Sequence, residues 1–289
     1  MNNMTKVAVI TRTKDRPAFL KRAVMSVANQ TYTDYEHIIV NDGGDKAAVE
    51  AAIDLCPIDK KSKIKVFHRE KSSGAPDTIF NESVRYSGSE YVTIHDDDDS
   101  WHPEFLERTV SLMESGAKGV VVRTDKITET YENSKIKIKK ATQYQSDIKV
   151  ISIYRQFVDN QLTPISFIYR RDVFDELDGY DDSLPVVGDW EFGIRFLLKY
   201  DVEYLDPGFA LAQYHHRIKK QADNSFSGHD HRYYFNLVAN RYLRNELQQG
   251  ILGPGYIISQ IRYEQSFLAK TLSRLLPGKL AAKLKSRVS

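Results

Sequence analysis

His95–Glu107 reads HDDDDSWHPEFLE, at the end of the apolar, β-branched run Tyr91–His95. Such a run has the pattern of a buried strand, which puts four consecutive carboxylates, Asp96–Asp99, at its carboxyl end. Open parallel sheets bind ligands just beyond the carboxyl ends of their strands. Adjacent carboxylates raise one another's pKa and are best tolerated where water or a cation screens them. Hard oxygen donors suit Mg²⁺ or Mn²⁺ and leave positions open for phosphate oxygens. The other local reading is an acidic loop capping a helix that opens near Pro103.

Two further arrangements were tried on the same residues. Asp96, Asp98, Ser100 and Glu107 match positions 1, 3, 5 and 12 of a helix–loop–helix calcium site, but Trp101 replaces the required Gly, and a strand precedes the loop. That reading fails. A divalent-metal phosphohydrolase with Asp96 as nucleophile and Asp98 as acid stays open.

Outward from this stretch, apolar runs alternate with helical patterns. Val7–Thr11, His37–Asn41, Lys63–His68 and Gly119–Arg123 read as further strands. A helix starting at Pro17 puts Leu20, Ala23, Val24, Val27 and Ala28 on one face. Helices are also expected over Lys46–Leu55, Ala75–Tyr86 and from Pro103. This alternation predicts an α/β fold with a mostly parallel sheet covered on both faces. The period then switches to two over Ile127–Lys139, a hairpin about Asn133-Ser134. Ile165–Tyr169 reads as a strand and Arg171–Leu177 as a short helix. A longer helix over Asp189–Lys199 and strands at Val202–Leu205 and Phe209–Tyr214 follow, and beyond His216 only helices, His229–Leu247 and Tyr256–Leu276. The expected division is 1–216 for a catalytic domain and 217–289 for a helical region.

Composition narrows the class. Lys+Arg number 41 against 39 Asp+Glu in 289 residues, a net charge of +2, which argues against a surface built for nucleic acid. The single Cys56 excludes an intrachain disulfide and a thiolate metal site, which fits a reducing cytoplasm. No apolar run approaches the ~18 residues of a membrane span. The charge is uneven, however. Glu264–Ser289 carries six Lys/Arg and one acid, and the cationic, Leu/Ala-rich 266–289 has the pattern of a helix lying on a membrane surface or packing on a protein.

Four motifs in order make the chain resemble the inverting nucleotide-sugar transferases of glycosyltransferase family 2, with the A-type glycosyltransferase fold and its Rossmann-like sheet. They are VAVITRTKDRPAFLKRAVMSVANQTY, IIVNDGG, DDDDSWHPEFLE and GYDDSLPVVGDWEFGIRFL. The resemblance implies that Thr11, Arg12 and Thr13 form the loop holding nucleobase and ribose, and that Asp42 accepts a hydrogen bond from the base, as a pyrimidine N3–H would offer. Without it, Asp42-Gly43-Gly44 would read as an Asx-turn. It further implies that Asp97 and Asp98 touch ribose and metal, with Asp98 the direct ligand, and Asp96 retained because a run of four leaves the frame open by one. Asp189 would be the general base, taking the acceptor's proton while a metal stabilises the departing diphosphate; the alternative is an acid complementing its helix dipole. Glu191 is read as structural or acceptor-facing, His215-His216 as able to bring an imidazole to the metal, and Trp101 and Trp190 as packing anchors. The chain departs from the family in lacking a basic residue in the helix after the third strand; Arg12, Arg69 or Lys71 are substitutes.

The resulting expectation is an Mn²⁺- or Mg²⁺-dependent transferase. Its donor would be a nucleotide-diphosphate sugar, a UDP-sugar foremost, and its acceptor a saccharide or lipid-linked hydroxyl, in surface polysaccharide assembly. No nucleic-acid partner is expected; contact with the inner membrane face through 266–289 and self-association are compatible with it. The competitors are the phosphohydrolase and a catalytically silent nucleotide-binding module.

Overall fold

A computed structural model describes residues 5–74, 76–132, 135–218, 231–258 and 260. Val7–Thr13 (β1) leads through Pro17–Ala28 (α1) to Tyr35–Asn41 (β2), Lys46–Ile53 (α2), Ile58–Lys61 (α3) and Ile64–His68 (β3). Pro76–Val84 (α4) and Tyr91–Ile94 (β4) precede the acidic run, which ends in Ser100–Trp101 (β5) and Phe105–Glu114 (α5). Next come Gly119–Val122 (β6), Thr124–Glu132 (β7), Lys135–Gln143 (β8), Ile153–Val158 (α6), Phe167–Arg170 (β9) and Arg171–Glu176 (α7). Gly188–Leu197 (α8), Glu203–Leu205 (β10), Ala212–Arg217 (β11) and His231–Gln249 (α9) complete the order.

The expected α/β architecture is what forms. Seven strands in the order β10-β6-β9-β4-β1-β2-β3 make a sheet in which β9 alone runs antiparallel to its neighbours. Its centre is apolar on both faces, as a parallel sheet requires. Ala8 and Ile10 of β1 pack with Ile79 and Phe80 of α4 and Phe192 and Phe196 of α8. Val7 and Val9 face the other way, toward Val27 of α1 and Phe105, Leu106 and Val110 of α5. All four of these β1 residues are fully buried, and Val7, Val9 and Ile10 each contribute roughly 1.5–3 kcal/mol. Strand order reverses direction between β1 and β4, which is where such sheets open a crevice.

A second sheet, β5-β11-β7-β8, clamps the acidic run. Its strand β5 pairs with β11, Trp101 opposite Ala212 and Ser100 opposite Gln213, so the chain leaving Asp99 is fixed at once. Helix α9 packs on α8 through Trp190, Ile194, Val238 and Ala239, and Trp190 meets Phe235 edge-on.

Some expectations change. The strand read at Phe209–Tyr214 is Ala212–Arg217: parallel pairing with β7, from Ala212↔Thr124 to Arg217↔Glu129, sets its bounds. His215 and His216 therefore lie inside the last strand, not after it. The helix expected from Pro103 begins at Phe105, and its N-cap is Glu104 with no side-chain cap bond, so Asp96–Asp99 do not cap it. Short elements β5, α3 and α6 were missed, being too brief for periodicity to register. The hairpin's Asn133-Ser134 turn and the basic segment 266–289 lie outside the described residues. Among the described residues no helix is long and apolar enough to cross a membrane.

Candidate active site

A cleft of about 510 Å³ opens at the carboxyl ends of β1 and β4, lined among others by Arg12, Thr13, Asp96, Asp98, Asp189 and His216. Asp96, Asp98 and Asp99 line the cleft, Asp99 from a buried position, while Asp97 is fully buried and outside the lining. Each buried acid is tied to a different wall. Thr13 Oγ1 donates to Asp97 Oδ2 at 2.7 Å, and Arg16 Nε donates to the same oxygen at 3.1 Å. Asp99 Oδ1 accepts the His215 backbone N–H at 2.7 Å. Asp98 Oδ2 receives Arg217 Nη2 at 2.7 Å and Arg16 Nη1 at 3.2 Å, and its carbonyl accepts from Arg22.

Burial, reinforced by repulsion within the run, pushes the carboxyls of Asp96, Asp97 and Asp99 above the usual carboxylate range. Arg16 opposes the shift at Asp97 without reversing it. A cation bound in the cleft would favour the ionised form of these carboxyls and offset their mutual repulsion.

Behind the run lies a polar core. Glu129 is fully buried on the same face of β7 as Ile127, next to a register shift that leaves Lys139 of β8 unpaired in the ladder. Glu129 Oε2 meets His215 Nδ1 at 2.9 Å, and His215 Nε2 meets Ser100 Oγ at 2.8 Å. Burial works against the Glu129 charge, but hydrogen bonds from His215 and Arg22 prevail and draw it down to about 2.

The opposite wall is the start of α8. Val187, its N-cap, sits at φ 65°, a left-handed conformation that costs a β-branched residue of order 1–3 kcal/mol. Asp189 follows in the first turn and lines the cleft. Its Oδ1 accepts the Trp190 N–H at 2.9 Å and its Oδ2 accepts Asn160 Nδ2 at 2.8 Å. Burial raises the Asp189 carboxyl above its ordinary value, and these two donors partly offset it.

The remaining predicted residues are placed as follows. Thr11, expected to touch the nucleotide, is instead fully buried in the sheet and does not line the cleft, its hydroxyl donating to the His95 carbonyl at 2.8 Å. Asp42 is fully buried and does not line the cleft; it accepts from Ser73 N at 2.8 Å and Ser72 Oγ at 2.9 Å. Arg12 and Arg69 stand 3.5 and 3.6 Å from it, both named beforehand as substitutes for the missing base. The Asx-turn reading shifts by one residue: Asn41, not Asp42, bonds Gly44 N, at 3.0 Å. Gly43, at φ +77°, is required there, because a Cβ would sit 2.6 Å from Ser72 N. Glu191 is structural, paired with Arg195 at 2.7 Å and Tyr242 Oη at 3.1 Å. Trp101 stacks on Phe105 and Trp190 is buried, both packing anchors.

Sequence reading missed Arg16, Arg217 and Asn160. Arg16 carried a faint signal, standing three residues past Thr13 and just before the helix-opening Pro17. It also missed Tyr144 and Tyr214, cleft residues whose rings lie 5.7 Å apart.

Among the described residues no three His, Cys, Asp or Glu converge as a self-sufficient metal site. The donor set still fits a hard divalent ion of the kind bound by one or two carboxylates plus substrate phosphates: Asp96 and Asp98 present oxygens to the cleft, and His216 lies on its wall.

A family model described as "Glycosyl transferase family 2" matches residues 8–178. The uncharacterized glycosyltransferase YwdF of Bacillus subtilis is 26% identical over 202 residues, 68% of this chain and 70% of that protein. The uncharacterized glycosyltransferase MJ1057 of Methanocaldococcus jannaschii is 28% identical over 229 residues, 74% and 75% of the two chains. Among solved structures, S. aureus TarS 1-349 in complex with UDP-GlcNAc superposes with a TM-score of 0.66 at 18% identity, covering 93% of this chain and 72% of that one. Full TarS is covered over only 43% of its length. At that identity the likeness is one of fold.

Proposed function

The chain belongs to glycosyl transferase family 2, and on that premise we propose a metal-dependent inverting transfer of a sugar from a nucleotide diphosphate to a hydroxyl acceptor. Membership sets aside the phosphohydrolase and the silent module. The observation that carries the proposal is that Asp96, Asp98 and Asp189 line one cleft: carboxylates suited to a cation and a further carboxylate with raised basicity.

Inversion is one in-line displacement at the anomeric carbon, so the groups at its two ends need different chemistry. Asp189 takes the proton of the acceptor hydroxyl as the new glycosidic bond forms. The raised affinity of its carboxyl for a proton suits that role. Asp98, or Asp96, would hold Mn²⁺ or Mg²⁺ together with the diphosphate's own oxygens, with His216 elsewhere on the cleft wall, and the ion would neutralise charge on the leaving diphosphate. Arg16 and Arg217 hold Asp98 in place. Arg12 and Thr13 line the nucleoside end. Asp42 is the acceptor assigned to a pyrimidine N3–H, and reaching it requires Ser72 and Ser73 to give way.

Uridine diphosphate is the donor nucleotide we favour, since the fold relative TarS was crystallised with UDP-GlcNAc and Asp42 offers an acceptor. The acceptor is assigned to a saccharide or lipid-linked saccharide of surface polysaccharide assembly, with Tyr144 and Tyr214 as apolar surface for a sugar ring. The basic residues of 266–289 would bring the enzyme to anionic lipid at the inner membrane face; unchanged liposome sedimentation after removing that segment contradicts this.

The test of donor binding is thermal melting with UDP, GDP and dTDP, each with Mn²⁺ or EDTA. At ligand 100-fold above Kd the expected stabilisation is about 2.7 kcal/mol for UDP with Mn²⁺, with a smaller response to UDP in EDTA. Equal effects with EDTA would remove the metal from the proposal, and no effect from any nucleotide would remove the site.

A further inference from the structure

Asp189 sits at the end of a chain of amides that runs from buried Gln156 to half-buried Asn160. Asn160 Nδ2 donates to Asp189 Oδ2 at 2.8 Å, and Asn160 Oδ1 accepts Gln156 Nε2 at 2.9 Å and the Leu162 backbone N–H at 3.1 Å. With both acceptor positions of Oδ1 taken, the Asn160 amide has one orientation, its NH₂ toward Asp189. Gln156 is itself fully buried and fixed. Its Oε1 accepts Gln161 N at 2.8 Å, its Nε2 also reaches the Trp190 carbonyl at 3.3 Å, and its own carbonyl accepts Trp190 Nε1 at 2.6 Å. Gly193 leaves room for this: a Cβ there would lie 2.4 Å from Gln156 Nε2. The chain therefore ties α6 and the following turn to the first turn of α8.

Gln156 is buried and Asn160 half-buried in the cleft lining, and amides so placed are costly to assemble unless satisfied; the Asn160 NH₂ finds its partner in the Asp189 carboxylate. We infer that Asn160 is a positioning residue for Asp189: its NH₂ occupies one carboxylate oxygen and so fixes the direction from which the acceptor hydroxyl delivers its proton. This rests on the assignment of Asp189 as base. The other groups facing Asp189 are the Trp190 N–H, Asp96 across the cleft, Tyr144 and His231. Asn160 alone among them is a side chain that donates to the carboxylate. A donor to the ionised form lowers a carboxyl's pKa, and its loss raises it.

The experiment uses the full chain, with Asp carboxyl carbons ¹³C-labelled and the Asp189 resonance assigned by its absence in Asp189→Asn. The carboxyl titration and kcat against pH are measured for the parent, Asn160→Ala and Asn160→Asp. Turnover is nucleoside diphosphate release from whichever of UDP-glucose, UDP-galactose, UDP-GlcNAc, UDP-GalNAc and GDP-mannose the parent consumes. Asn160→Ala is expected to raise the Asp189 midpoint by about 1 pH unit and Asn160→Asp, which sets a like charge beside it, by more. Both are expected to lower kcat at pH 7 about tenfold or more while donor KM stays within about twofold. Asn160→Asp keeps the Oδ1 acceptor for Gln156 and Leu162, so it separates positioning from folding. If both variants lower only the melting temperature and leave the Asp189 midpoint in place, Asn160 is merely structural and the inference is wrong. Retention of turnover by Asp189→Asn would instead overturn the assignment of the base.

Discussion

Arg217 and Asp98 are 119 residues apart in the chain, and Nη2 of the one meets Oδ2 of the other at 2.7 Å. The contact joins the last strand of the small sheet to the acidic run of the large one, and the Arg217 guanidinium also lies 4.6 Å over the Phe19 ring. Removing one partner of a largely buried pair leaves an uncompensated charge, which costs 3–5 kcal/mol in full burial. Asp98 keeps Arg16 and some contact with water, so the expected loss for Arg217→Met is about 2 kcal/mol in urea unfolding. An unchanged unfolding midpoint would show that the pair does not hold the run in place.

Asp98→Asn removes the proposed metal ligand's charge and keeps its shape. The parent's additional stabilisation by UDP on adding Mn²⁺ is expected to disappear in this variant, while the smaller response to UDP in EDTA stays. A variant still responding fully to Mn²⁺ would move the ligand role to Asp96.

His37 and His95 give the fold an acid limit. Burial draws His37 down from 6.5 to about 3 and His95 to about 4, so both are neutral in the fold at pH 7. Above pH 6.5 they are neutral in the unfolded chain also and contribute no pH dependence. As pH falls below 6.5, the unfolded chain binds two protons that the fold refuses, and stability is lost at about 1.4 kcal/mol per pH unit for each histidine. The loss continues to pH ~4 for His95 and ~3 for His37. The raised carboxyls of Asp96, Asp97, Asp99 and Asp189 bind protons in the fold over the same range and oppose this loss, so the check is a difference: in urea unfolding from pH 6.5 to 4.5, His37→Gln is expected to gain on the parent by about 1.4 kcal/mol per pH unit, and a constant difference would contradict it.

The sheet and its crevice were legible because apolar runs, Pro17 and the spacing of strand and helix are local signals. Asp96 and Asp98 were singled out by the acidic run and the resemblance, and Asp189 by the resemblance alone, and the structure brings all three to one cleft. Arg16, Arg217 and Asn160 were not, since each acts through a partner 29 to 119 residues away, and no single-sequence pattern encodes that distance. The last strand was misplaced by three residues because its bounds are set by pairing with β7, not by its own composition. Asp42 shows the same limit: its type and position were clear, but not its closure behind Ser72 and Ser73.

The account turns on Asp189 as the group that accepts the acceptor's proton. The direct measurement is nucleoside diphosphate release from nucleotide sugars in Mn²⁺, by the parent chain and by Asp189→Asn, with donor affinity measured alongside. A loss of about 10²-fold or more in kcat, with the donor dissociation constant within about twofold, is the expected result. Turnover by Asp189→Asn within a few-fold of the parent would contradict the account.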